Sequence, residues 1–242
     1  VCLNSQIDTS ISLINRGNIT ANLEILKNCH PPFSLQINNS QIEPDEIVKI
    51  NFRFSPTIPG QFYDTLIIKT GDCKEISLIL TGIGLVGELA SEPDFLEGLI
   101  ITNQTKNFPI KISNIGNIPL DIVNYTFNPP LTGFSAELQP LLSQTIDSNQ
   151  SISFILTIIA NQVGSYRGEI CFAAEGTCPT HICIPIELTG LSRSLTTDSS
   201  IIFPTLYCGG EIYDTLWINN YGIVPDTVTQ VSLSGDNSIE IR

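Results

Sequence analysis

Lys111-Ile112-Ser113-Asn114-Ile115-Gly116-Asn117 decides the fold, because the chain carries versions of it three times. Ser12-Leu13-Ile14-Asn15-Arg16-Gly17-Asn18 lies upstream and Trp217-Ile218-Asn219-Asn220-Tyr221-Gly222 downstream, each a strand-like run that stops at Asn-x-Gly. Asn15, Asn114 and Asn220 are spaced 99 and 106 residues apart, which is the length of one immunoglobulin-like domain. Further anchors keep the same order. Phe54-Ser55-Pro56 leading to Gly60 corresponds to Ile159-Ala160-Asn161 leading to Gly164, and Leu80-Thr81-Gly82 corresponds to Leu188-Thr189-Gly190.

Around these anchors the hydrophobic period is two. Ile7, Thr9, Ile11 and Leu13 alternate with polar residues, as do Val48, Ile50, Phe52 and Phe54, and Ile152, Phe154, Leu156 and Ile158. Such alternation describes half-buried strands, and Gly, Pro, Asn and Asp clusters interrupt it about every ten residues. The spacing predicts an all-β chain of tandem immunoglobulin-like β-sandwiches: residues 1–84 lacking the first strand, 85–191 complete, and 192–242 truncated after strands near Val228 to Leu233 and Ser238 to Ile241. With no Met and no charged-then-apolar leader, the chain reads as a processed or excised piece of a longer one.

Composition narrows the function. Eleven Lys and Arg against 24 Asp and Glu leave a net charge of −13, which repels phosphate backbones and anionic membranes. No apolar run is long enough for a membrane span. Only His30 and His181 are available to orient a nucleophile, and both sit in loop or hairpin-tip contexts, so no catalytic residue is expected. Cys178, His181 and Cys183 offer three zinc ligands without a fourth. Glu88, Glu92, Asp94 and Glu97 lack the pattern of a calcium loop and read as a solvated linker face. Gly82-Ile83-Gly84 and Gly87 read as a strand end and a hinge, and Trp217 as core or edge packing. Neither cofactor nor metal is expected.

At its anchors the sequence resembles the Hydin-type (ASH) immunoglobulin-like repeats, related to PapD and major-sperm-protein sandwiches, especially the choice-of-anchor D version of bacterial surface proteins. The resemblance rests on Asn15-Arg16-Gly17, Phe33-Ser34-Leu35, Glu43-Pro44-Asp45, Ile47 to Phe54, Ser55 to Gly60 and Leu80-Thr81-Gly82. In the second copy it rests on Asn114-Ile115-Gly116, Phe134-Ser135-Ala136, Asp147-Ser148-Asn149, Ile152 to Ile158 and Leu188-Thr189-Gly190. Asn161-Gln162-Val163 departs from it, where the usual Pro is missing. The resemblance implies a spacer, adhesive or scaffold module with no catalytic residues.

Seven cysteines, none in a C-x-x-C pair, point to an oxidising compartment. Cys171 and Cys183 fall on the same polar face of two runs joined by a tight connection, which predicts a cross-strand disulfide. A Cys2–Cys29 bridge is expected at one pole of the first sandwich. Cys73 and Cys178 occupy equivalent hairpin tips at the other pole, and stacking head to tail brings Cys178 towards Cys2 or Cys29. Cys208 takes the place of Cys2 in the third copy. Asn18, Asn38, Asn103, Asn124 and Asn149 begin N-x-S/T sites for glycosylation.

Together these predict a non-enzymatic extracellular or cell-surface protein, part of a stalk, surface layer or filament. Its expected partners are neighbouring repeats, like subunits, or another surface protein or glycan. The alternatives are an intracellular Hydin-type scaffold and an accessory β-module of a larger secreted enzyme.

Overall fold

A computed structural model describes residues 1–71, 74–205, 209–232 and 234. Its described residues form strands and no helix. The first seven strands are β1 (Ile7–Ile14), β2 (Ala21–Lys27), β3 (Phe33–Ile37), β4 (Gln41–Ile42), β5 (Ile47–Phe54), β6 (Gly60–Thr70) and β7 (Lys74–Gly84). They make two sheets, ordered β1-β5-β3 and β4-β2-β6-β7. The alternation seen in sequence sets the faces: along β5, Val48, Ile50, Phe52 and Phe54 are buried while Ile47, Lys49 and Arg53 are exposed.

The next nine strands repeat the plan with an added opening: β8 (Leu89–Glu92), β9 (Leu96–Ile101), β10 (Thr105–Asn114), β11 (Leu120–Asn128), β12 (Phe134–Gln139), β13 (Gln144–Ile146), β14 (Ser151–Ala160), β15 (Gly164–Glu175) and β16 (Thr180–Leu191). Their sheets run β12-β14-β10-β8 and β13-β11-β15-β16-β9. The opening segment therefore changes sheets. β8 pairs antiparallel with β10, and β9 pairs parallel with β16. Phe154 and Phe172 stack across the two sheets with ring centroids 5.7 Å apart, inside a core that also takes Ile110, Leu156, Ile158 and Ile184.

The opening segment explains why the two cores differ. Ile110, Ile112, Ile186 and Leu188 are 0–1% exposed, whereas their counterparts Ile11, Leu13, Leu78 and Leu80 are only partly buried. Within the first sandwich the described residues supply just one rung of an equivalent segment, the parallel bridge of Cys2 with Leu85. Fully burying a Leu or Ile side chain contributes about 1.5–3 kcal/mol, so the complete burial of Ile110, Ile112, Ile186 and Leu188 adds to the stability of the second sandwich.

β17 (Leu195–Thr197) and β18 (Ile218–Asn220) pair antiparallel beyond the second sandwich. The run expected as a strand from Val228 is not one over its described residues 228–232. Strands need hydrogen-bonded neighbours, and the described residues here form only the β17–β18 pair. Leu233 and Ser238 to Ile241 lie outside the described residues.

Candidate functional site: the joint between sandwiches

Asn-x-Gly, the motif that reveals the repeat, turns out to build the joint. Asn114 ends β10 and is fully buried. Its Nδ2 donates to the carbonyls of Ile118 (2.7 Å) and Ile146 (2.9 Å), and its Oδ1 accepts from the Gly116 amide (3.0 Å). One side chain thus satisfies three backbone groups that water cannot reach, as buried polar groups require. Asn15 makes the same three bonds, to Ile19, Ile42 and Gly17, and Asn220 bonds Val224 and Gly222.

The turn held by Asn114 receives the linker from the first sandwich. Ile115 and Gly116 amides donate to the Glu88 carbonyl, and the Asn117 amide donates to the Val86 carbonyl at 3.1 Å. A Cβ on Gly116 would lie 2.3 Å from the Val86 oxygen, so only glycine lets the two backbones approach this closely. Asn117 adds a clamp: its Oδ1 accepts from the Val86 amide and its Nδ2 donates to the Gly84 carbonyl, both at 2.8 Å. The backbone scheme recurs at the next joint, where Tyr221 and Gly222 amides donate to Ser194 and the Ile223 amide to Ser192. There Ile223 replaces Asn117, and the side-chain clamp is gone.

A covalent bond closes the first joint. The Leu3 amide donates to the Leu85 carbonyl and the Leu85 amide to the Val1 carbonyl, which sets Cys2 against the tip of the β15–β16 hairpin. Cys2 is bonded there to Cys178, with Cα atoms 5.7 Å apart. The expected Cys2–Cys29 bridge is therefore corrected. Cys29 is a buried free thiol packed with Phe33 and Phe54, and burial pushes its pKa up. Of the two partners considered for Cys178, the backbone pairing at Leu85 presents Cys2, while Cys29 faces the apolar cluster.

The second disulfide lies elsewhere. Cys171 and Cys183 are directly opposed in the β15–β16 register and bonded, Cα atoms 4.0 Å apart. They are only partly buried. Cys178, His181 and Cys183 do not bring their ligand atoms together among the described residues, and the two sulfurs belong to different disulfides. Cys73 and Cys208 lie outside the described residues.

The remaining residues singled out in the sequence stand on the surface. Asn18, Asn38, Asn103, Asn124 and Asn149 are all exposed. Glu88, Glu92, Asp94 and Glu97 are exposed as well, with Glu92 3.8 Å from Lys111. His181 is exposed. Trp217, expected to pack, is 65% exposed. His30, also exposed, has a role that the sequence did not indicate: its amide donates to Asp64 at 2.6 Å, and its Nδ1 lies 3.3 Å from the same carboxylate. These bonds and the Thr65 amide hold Asp64 below the usual carboxylate range.

With the Asn15 turn, the Phe33 strand and the terminal Leu80-Thr81-Gly82 in place, the first sandwich can be compared with known proteins. Residues 2–82 match the HYDIN/CFA65/VesB-like, Ig-like domain. This HYDIN/CFA65/VesB-like stretch takes in Cys2 and every strand of the first sandwich except the last two residues of β7. No curated protein matches the chain. Among solved structures, a protein of unknown function from Porphyromonas gingivalis W83 is 12% identical, with 78% of this chain and 93% of that one covered and a TM-score of 0.31. PapD-like domain 7 of human CEP192 is 9% identical over 43% of this chain and 85% of its own (TM-score 0.34). Vibrio cholerae VesB protease is 17% identical over 42% of this chain and 31% of its own (TM-score 0.28).

Proposed function

We propose that this chain is part of a non-enzymatic, extracellular array of Ig-like sandwiches, units 1–84, 85–191 and 192–242, serving as a structural and adhesive element of a stalk, surface layer or filament. One observation carries the reading: the first two sandwiches are joined by a disulfide, an asparagine clamp and paired backbone, all within a few residues of the linker. A joint built in this way fixes the angle between neighbours, whereas flexibly linked domains leave it free. Two disulfides fit an oxidising surrounding, and five exposed N-x-S/T asparagines fit a glycosylated surface.

In this reading the partners are neighbouring repeats or like subunits. Cys73 and Cys208 then serve as inter-repeat cysteines, since in the sequence repeat Cys73 corresponds to Cys178 and Cys208 to Cys2. Non-reducing peptide mapping of protein from its native source tests the reading. The expected result is a linked Cys2–Cys178 peptide pair together with hexose-containing additions on N-x-S/T peptides. Seven free thiols on an unmodified chain would overturn it and favour an intracellular scaffold.

A further inference from the structure

The solvent-facing side of the β15–β16 hairpin holds chemistry that the joint does not use. Cys171 and Cys183 line an open depression there with Asn124, Thr126, Glu169 and His181. Glu169 precedes Cys171 by two residues and so shares its face. Its Oε2 lies 4.0 Å from the Cys171 sulfur, and the Glu169 oxygen and both sulfurs all fall within 4.8 Å of one another. Among the described residues no other three His, Cys, Asp or Glu side chains bring ligand atoms together in this way.

We propose that this face is a redox-gated site for a thiophilic divalent cation, closed while the disulfide stands and opened by its reduction. Access favours this bond over the other. Cys171 and Cys183 are both partly exposed, while the joint bond pairs a partly exposed Cys2 with Cys178, which is 8% exposed, and exposed disulfides are the labile ones. A dithiol reductant supplies two electrons and two protons, becomes a disulfide itself and leaves two thiols. The cation then displaces both thiol protons and binds the two thiolates.

Reduction does not scatter these ligands. β15 and β16 remain paired from Gly164↔Gly190 to Ala174↔Thr180 on both sides of the cysteines, so the sulfurs stay opposed without the bond between them. Zinc takes thiolates at about 2.3 Å in a tetrahedral shell, which needs the sulfurs to part to roughly 3.7 Å. Side-chain rotation supplies that movement. Glu169 becomes the third ligand and water the fourth, a borderline-soft S₂O donor set that suits zinc better than calcium or magnesium.

Cobalt(II) is the probe, because thiolate coordination gives it a charge-transfer band. The chain is reduced with a phosphine, which leaves as phosphine oxide, then freed of reductant and titrated under argon. One cobalt per chain with that band is expected, displaced by zinc and absent from the oxidised chain. Replacing Cys171 and Cys183 together by Ser abolishes it, replacing Cys2 and Cys178 together by Ser leaves it, and Glu169→Gln weakens binding by roughly tenfold or more. A band that survives Cys171→Ser with Cys183→Ser, or that vanishes with Cys2→Ser and Cys178→Ser, overturns the proposal, as does reduced protein showing no band.

Discussion

Replacing Asn114 by Ala should cost far more than the same change at Asn15, although both side chains make three equivalent hydrogen bonds. Asn114 is the one fully buried polar residue of the described core, and its three bonds are to the carbonyls of Ile118 and Ile146 and the amide of Gly116. Alanine strips the Ile118 and Ile146 carbonyls of these bonds where water cannot reach, and leaves the Gly116 amide only its longer bond to the Glu88 carbonyl, 3.3 Å. Each such group costs about 1–3 kcal/mol, and a relaxed turn recovers part of the sum, so a loss of about 3–5 kcal/mol is expected. At Asn15 the bonds to Ile19 and Gly17 are exposed; water replaces them, and the expected loss is about 1 kcal/mol. Scanning calorimetry reads the difference directly, with about 4–8 °C of midpoint per kcal/mol for a domain of about 100 residues. Agreement of the two variants within about 1 kcal/mol would refute the claim that burial, and not the motif, sets the worth of this asparagine.

The two disulfides should differ in worth. Their sequence separations are 176 and 12 residues, so loop closure gives about 5 kcal/mol for Cys2–Cys178 and about 3 kcal/mol for Cys171–Cys183; urea unfolding of the paired Ser variants tests the order. Gly87→Ala places a Cβ 2.1 Å from the Cys178 oxygen and should lower the fraction of chains with the joint bond closed while leaving Cys171–Cys183 intact, as read by differential alkylation and mass spectrometry. Asp64 is held below its ordinary pKa, first by the His30 amide. Its stabilisation is complete above the usual carboxylate range and is lost as pH falls through the lowered value, so Asp64→Asn should flatten the acid limb of an unfolding-against-pH profile. Cys29, its pKa raised by burial, should resist iodoacetamide in the native chain and react once denaturant is added.

Strand faces were legible because period two writes burial directly into the sequence, and the Cys171–Cys183 register followed from two cysteines on one polar face. The joint was harder to read. Repeat spacing placed Cys178 at a pole near Cys2 or Cys29, but the choice depends on the backbone pairing of Val1 and Leu3 with Leu85, a long-range contact that no local pattern records. Asn-x-Gly was visible as a motif, yet its cause was not: the three bonds of Asn114 end on Gly116, Ile118 and Ile146, the last of them on another strand. The division of the opening segment between two sheets escaped for a similar reason, since Glu88, Glu92, Asp94 and Glu97 made this stretch read as a solvated linker.

The bond at the joint also decides how tension would travel. A pull that enters at Cys2 and leaves beyond Cys178 passes through a single sulfur–sulfur link and bypasses the whole polypeptide in between. The first sandwich and most of the second then hang off the force path as an unloaded loop. The link keeps 176 residues of separation, about 600 Å of extended contour, out of reach of the pulling force. Reducing that one bond would put both sandwiches onto the force path, and their unfolding would then yield this length, less the short loop still closed by Cys171–Cys183.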